Sequence, residues 1–440
     1  MTTFDLNAGA LAPVDAEVTL RGAGGANDQI TVDGAIPDDL NGLLIRNGPN
    51  PRSGRFDGDS MLDWWVGDGM VHGLAIAEGA VTWFRNRWTT NLSGKTNNVN
   101  VVGFGGKILV LGEGEVPTEI DAELHPLGPT TFGGALPNGI TAHPKVDPKT
   151  GLLRFFRADW QPPFLQVGAI DQNHQVVELR EVEVDRPVLM HDFAITERFD
   201  IALHLNVTLD LKLATGGARL PLRWDPDHHT RLAAIPRDGS PTHWFDITPC
   251  FIQHVVNAFE DPARPNTVIL DAVRYDRFLC FDEATEQHLP NPLGVLWRYE
   301  LDIDRGTVTE HQLDDRFIEL PRIDERFTGG PYTHLYAVEQ PTDTEMRGLR
   351  RYDLRAGRSQ TFAVAPGDQN SEPIFVPQRA GGGADEGDGW LLCCLYRAAS
   401  DTTDVAILRA TDIDQPPVAT IHLPRRIPAG FHGAWVPLPS

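Results

Sequence analysis

Cysteine is scarce in this 440-residue chain: Cys250, Cys280, Cys393 and Cys394 are all there is. Four thiols cannot staple a fold of this length, so the sequence points to a reducing, cytoplasmic setting and a core held by packing. Cys393 and Cys394 are adjacent, and in an extended segment they face opposite ways, which argues against a shared metal. Basic residues are a minority, 38 Lys and Arg against 61 Asp and Glu, for a formal net charge of -23. Such a surface repels phosphate backbones and excludes unspecific nucleic-acid binding. It also repels anionic lipid on average, which leaves a local apolar patch as the route to any peripheral membrane contact. No apolar run approaches the roughly 18 residues of a membrane span. Even DWWVGDGMVHGLAIAEGAV is interrupted by Asp68, His72 and Glu78. The first residues lack a basic stretch followed by an apolar one, so no secretory leader is expected. Also missing are GxSxG, HExxH and GxxxxGK[ST], which removes the elbow-serine, zinc-protease and P-loop chemistries. RGAGGAND clusters glycines, but nothing sets it between a strand and a helix, so it is not read as a dinucleotide site.

Short runs rich in branched and aromatic residues are abundant. LLIRNGP, KILVLGE, LLRFFRADW, VVELREVEV, IALHLNV, TVILDAVRYD, VLWRYELDID, GLRRYDLR, WLLCCLYRA and VAILRATDID are bounded by Gly, Pro, Asn or Asp, and many alternate. Long helical periodicity is scarce, so the chain reads as mostly β and the expected fold class is all-β. The 42 Gly and 34 Pro are spread along the chain as turn residues rather than gathered in a linker. RAGGGADEGDGW, the loosest stretch, reads as a surface loop within a single domain over 1–440, with 1–35 as an extension packed on it. Many short strands in so long a chain suit a propeller or a large barrel. No clean internal repeat chooses between them.

Four of the fifteen histidines are set in similar surroundings. His143 in NGITAHPKVDP, His191 in PVLMHDFAITE, His254 in CFIQHVVNAFED and His432 in GFHGAWV each follow or lie within an apolar segment near a turn signal. Strand ends deliver side chains to shared cavities in this way. Any one of them alone is more often a core or turn residue than a ligand. Together they can share a site only where the fold brings distant strand ends to one axis, as a propeller does. Neutral imidazoles around a divalent ion also call for carboxylates behind them to accept the free ring N–H groups. Glu113 in LVLGEGEVP, Glu319 in FIELPRID and Glu372 in NSEPIFVP are the candidates.

RNGPNP, WWVGDGMVHGL, FRNRW, TAHPKVDP, MHDFAITE, HVVNAFED, ELPRID, SEPIFVP and GFHGAWV resemble, in this order, the motifs of the carotenoid cleavage oxygenases, from about residue 40 onward. The resemblance implies a seven-bladed β-propeller with a metal on its axis, loops and short helices capping one face, and non-haem Fe(II) bound by His143, His191, His254 and His432. It makes Glu113, Glu319 and Glu372 the partners of three of those histidines. It implies a dioxygenase that uses O2 to cleave a conjugated C=C bond of an apolar substrate into two carbonyl products. Four histidines would close a tetrahedral zinc site, whereas six-coordinate iron keeps two positions open. His72, His204, His228, His229, His243 and His334 match no ligand motif and are read as structural.

Three positions depart from parts of that family. Members that cleave hydroxylated stilbenes carry a lysine before the first of the glutamates and a tyrosine opening the YRNRY-like motif. Here those positions are Gly112 and Phe84, and neither side chain can hydrogen-bond a phenolate. Val99 stands where many relatives have a threonine beside the open iron position, so branched shape is kept and the hydroxyl lost. An apocarotenoid-like polyene is therefore the expected substrate. Cleavage of an aryl alkene, isomerisation, and a propeller that binds an apolar ligand without turnover are the competing readings.

Overall fold

The structure, a computed structural model, describes residues 5–22, 30–58, 61–89, 96–217, 220–282, 284, 287–342, 345–378 and 385–438. Most of RGAGGAND and the first half of RAGGGADEGDGW lie outside the described residues. All ten runs picked out above form strands, and α-helix among the described residues is confined to Met61–Trp65 and Leu211–Thr215. Both follow from composition. β-branched and aromatic residues fit a pleated surface, and the Gly and Pro between them end each strand before a helix can propagate.

The chain divides into two compact units, one of residues 1–138, 333–338 and 346–440 and the other of residues 139–332 and 339–345. The second unit is a series of antiparallel meanders. Lys145–Val146, Leu153–Ala158, Leu165–Ile170 and Val176–Glu181 form one sheet, and Ala194–Ile195, Phe199–His204, Arg231–Pro236 and His243–Asp246 another. A third holds Phe251–Glu260, Thr267–Tyr275, Val295–Asp302 and Thr307–Arg322. Strand character varies with position. Val176–Glu181 alternates between half-buried and exposed, as an outer strand should, while Thr267–Tyr275 is buried at every residue.

In the first unit, Asn100–Phe104, Lys107–Leu111, Thr118–Ile120 and Pro126–Pro129 form a similar meander. A larger sheet runs Thr31–Gly34, Ala419–Leu423, Thr402–Arg409, Gly389–Arg397, and onto the last of these Ile374–Pro377 also pairs. A further sheet joins the two ends of the sequence. The strand Gly433–Pro437 pairs antiparallel with Gly42–Pro49, from Gly42 opposite Pro437 to Arg46 opposite Gly433. Gly42–Pro49 pairs on its other side with Gly69–Ala77. One apolar cluster of this unit lies between these last two sheets, with Leu44, Leu74, Phe84, Ile374, Leu392, Val405 and Ile421 packed together. No helix is long and apolar enough to cross a membrane among the described residues.

Candidate metal centre

Three of the four histidines belong to the second unit. His143 precedes a proline, which keeps its backbone extended, and its N–H donates to Thr141 Oγ1 at 3.0 Å. His191 follows the buried Met190. His254 lies inside the strand Phe251–Glu260, where the register against Thr267–Tyr275 shifts between Ile252 and Val255. Such an irregularity re-aims a side chain that regular alternation would send elsewhere.

One carboxylate ties these three segments together. Asp192, buried beside His191, accepts from Val255 N at 2.8 Å, next to His254. Its other oxygen accepts from Phe193 N at 2.7 Å and pairs at 2.7 Å with Lys145 Nζ, two residues beyond His143. Sequence reasoning missed both Asp192 and Lys145. The signal was an acid directly after one candidate histidine and a lysine just beyond another.

Behind His254 stands Glu319, only 4% exposed. His254 Nδ1–H donates to Glu319 Oε2 at 2.5 Å, and Leu320 N donates to the same oxygen at 2.5 Å. Tyr275 O–H donates to Oε1 at 2.5 Å. Burial opposes ionisation of Glu319, but His254 and these donors outweigh it and hold the carboxyl below its usual range. Burial first, and then the Glu319 charge, push the Tyr275 phenol well above its ordinary value, so it remains a donor. With its proton fixed on Nδ1, His254 presents a bare Nε2 lone pair.

His432 is held within the first unit. Its Nδ1–H donates to Glu372 Oε1 at 2.9 Å, and Gly433 N donates to Oε2 at 3.0 Å. Glu372 is 1% exposed. The backbone of His432 is gripped from two sides, its N–H donating to Val99 O at 3.1 Å and its carbonyl accepting from Asn47 N at 2.8 Å. Asn47, also missed by sequence reasoning, donates through Nδ2 to the carbonyls of Asn97 and Asn100 at 3.0 and 3.1 Å. The glycines of AGFHG have a packing reason. A Cβ on Gly430 would sit 2.5 Å from Asn47 O, and one on Gly433 would sit 2.5 Å from Ile45 O. Only glycine lets this segment approach Gly42–Pro49 so closely.

The remaining expected positions fall differently. Val99 is buried and adjoins His432 through the backbone bond just described. A Cβ on Gly112 would meet Glu115 Oε2, the movable end of a side chain, at 2.3 Å and the backbone Asn97 Cα at 3.1 Å. The Glu115 carboxylate is engaged there by Thr96 N at 3.2 Å and Asn97 N at 2.8 Å. Glu113 lies in the turn after Lys107–Leu111 and is exposed, unlike the other two glutamates. Phe84 is packed in the apolar core, stacked on His72, which commits its ring to packing. His204 and His228 are bonded to each other at 3.2 Å, with His204 Nε2 donating to Arg186 O.

The ligand-type nitrogens of His143, His191, His254 and His432 all lie within 4.8 Å of one another. His143 Nε2 is 3.1 Å from His191 Nε2, which is 3.3 Å from His254 Nε2. Two ligands at about 2.1 Å from one ion stand about 3.0 Å apart at a right angle and about 3.4 Å at the tetrahedral angle. Lone pairs converging at these separations repel unless a cation lies among them. The donor set therefore fits a divalent metal that favours imidazole, iron included.

The family described as retinal pigment epithelial membrane protein matches residues 23–437 of the chain. A carotenoid cleavage oxygenase of Mycobacterium tuberculosis is 30% identical, over 98% of this chain and 97% of its own. The apocarotenoid-15,15'-oxygenase of Synechocystis is also 30% identical, over 92% of each chain. Among solved structures, cobalt-substituted Synechocystis apocarotenoid oxygenase superimposes with a TM-score of 0.85 at 26% identity, covering 97% of both chains. The lignostilbene dioxygenase of Pseudomonas brassicacearum gives 0.87 at 26% identity, covering 99% of this chain and 98% of that one. With the histidine group, its glutamates and these likenesses together, the chain belongs to the retinal pigment epithelial membrane protein family, the carotenoid cleavage oxygenases, and is an oxygenase enzyme.

Proposed function

We propose that this enzyme is an Fe(II)-dependent dioxygenase that cleaves a conjugated C=C bond of an apolar, apocarotenoid-like substrate. The observation that carries the reading is the histidine group itself, in which buried Glu319 and Glu372 fix the Nδ1 protons of His254 and His432. When bound there, ferrous iron would supply O2 activation, which no ordinary side chain can provide. In the overall reaction the C=C and O–O bonds break and two C=O bonds form, so no external reductant is consumed.

The chain's own residues do the positioning. His143, His191, His254 and His432 would hold the ion, with Glu113 proposed as the third carboxylate alongside Glu319 and Glu372. Val99 offers branched apolar surface next to His432 and no hydroxyl. The position of Gly112 is already filled by the Glu115 carboxylate, so a phenolate would find no cation there. That supports a hydrocarbon chain over a hydroxystilbene. The reading includes a single seven-bladed propeller as the scaffold and a cytoplasmic setting.

Anaerobic loading with ferrous iron, followed by incubation with an apocarotenal and with a hydroxystilbene under labelled O2, tests this. The expected result is one iron per chain and labelled aldehydes from the apocarotenal. Aldehydes only from the stilbene would favour the aryl-alkene reading, and ligand binding without O2 uptake would make the protein a carrier.

A further inference from the structure

The carboxylate behind His254 answers to a residue outside the histidine group. His254 Nδ1–H and Leu320 N–H both donate to Glu319 Oε2, and Tyr275 takes the oxygen they leave, its O–H donating to Oε1 at 2.5 Å. Tyr275 closes the strand Thr267–Tyr275 and is buried. Its printed link to the histidines runs through that carboxylate alone.

The surroundings hold this bond in place. The Tyr275 ring meets Phe278 edge-on, with centroids 5.4 Å apart, and Phe278 stacks on Phe251 at 4.4 Å. A Cβ on Gly294 would lie 2.9 Å from Tyr275 Cζ, so glycine there leaves the ring its seat. The Gly294 carbonyl accepts from Ile318 N at 3.1 Å, which fixes the chain just before Glu319. Just after it, Leu320 has a φ of 51°, a left-handed conformation that a bulky residue rarely adopts. Strain of this kind persists only where the structure around it over-determines the backbone.

Hydrogen bonds joined in a chain polarise one another. A carboxylate that pulls on the Nδ1 proton of a ligating histidine makes the imidazole more basic and a stronger donor at Nε2. A further donor to the same carboxylate draws off part of its charge and weakens that pull.

We propose that Tyr275 is a positioning residue that limits how strongly Glu319 polarises His254, and thereby helps keep iron held by the four histidines in the ferrous state. The inference rests on the iron-dependent reading above. It concerns electron donation through His254, with no contact between Tyr275 and metal or substrate.

Tyr275→Phe tests it, since the ring keeps its packing and only the donor is removed. Glu319 then pulls harder on His254, and bound iron more readily gives one electron to O2, leaving ferric iron and superoxide. A direct partner of a ligand is worth roughly 10- to 100-fold, so one bond further out the loss of ferrous iron in air should run roughly three- to tenfold faster. A ferrous-specific chelating dye follows this without substrate. Iron content should stay near that of wild type, because His254 and Leu320 still hold Oε2, and the change should add nothing to Glu319→Gln. Cobalt(II) in place of iron gives a second readout, its d–d bands moving to higher energy in Tyr275→Phe. An unchanged oxidation rate per bound iron, unmoved cobalt bands, or an equal acceleration in Glu319→Gln would each overturn the proposal. Wild-type protein that takes up cobalt but no iron would instead overturn the iron reading, and the cobalt bands alone would then decide the role of Tyr275.

Discussion

Glu372 grips His432 twice, through the ring Nδ1–H with one oxygen and through the following backbone N–H with the other. Ring orientation and backbone path are therefore set by one buried carboxylate. Glu372→Ala should lower metal affinity by about 10- to 100-fold. Metal content after dialysis against a graded chelator measures this. Glu372→Gln should lose less, because its carbonyl oxygen can still accept from Nδ1–H.

Asp192 has a comparable task for the segments that carry His143, His191 and His254. Asp192→Ala leaves the N–H of Val255 unsatisfied and Lys145 without its partner. Removing one partner of such a pair costs about 3 kcal/mol or more when both are buried, and Lys145 is partly exposed, so the lower end applies. Denaturant unfolding should register that loss, with metal content falling in parallel. Unchanged stability and full metal content would show that Asp192 is dispensable.

Gly112→Lys should not create a stilbene-cleaving enzyme. The new Cβ would drive into the Glu115 carboxylate and displace it from Thr96 and Asn97. The carboxylate end can move aside, so the cost is chiefly that of its lost hydrogen bonds, about 1 kcal/mol. Thermal unfolding together with hydroxystilbene turnover checks it: a lower Tm and no gain in aldehyde are expected. A stable variant that cleaves hydroxystilbene would contradict the packing argument.

A pH effect is expected at His422, on the strand Ala419–Leu423. Burial lowers its affinity for a proton, but hydrogen bonds to Asp404 at 2.7 Å and Asp33 at 3.2 Å win and raise it above the ordinary histidine value. The folded state thus binds the proton more tightly than the unfolded one. Its contribution is full below about pH 6.5 and is lost as pH rises through the folded value. The difference in Tm between wild type and His422→Gln should shrink as pH rises, and a pH-independent difference would rule this linkage out.

The strands were readable because their signal is local. Val176–Glu181 alternates in sequence as it does in burial, and Thr267–Tyr275 is apolar enough to announce a strand covered on both faces. The histidine group was readable because each of its four residues sits in a distinctive motif. Asp192, Lys145 and Asn47 were not readable in the same way, since their value depends on which backbones meet after distant strands pair. Phe84 illustrates a different limit. A motif gives its position in the chain but not its face: register sets it opposite Leu74, with its ring in the core.

The pairing of Arg46 with Gly433 has a consequence for synthesis. Gly42–Pro49 must wait, that edge unpaired, until Gly433–Pro437 has been made. Contacts of such wide separation close slowly and leave intermediates open to aggregation. His432 emerges last of the four clustered histidines, so a nascent chain stalled before it holds three histidines and an open edge. Arrival of His432 and sealing of the sheet are then one event.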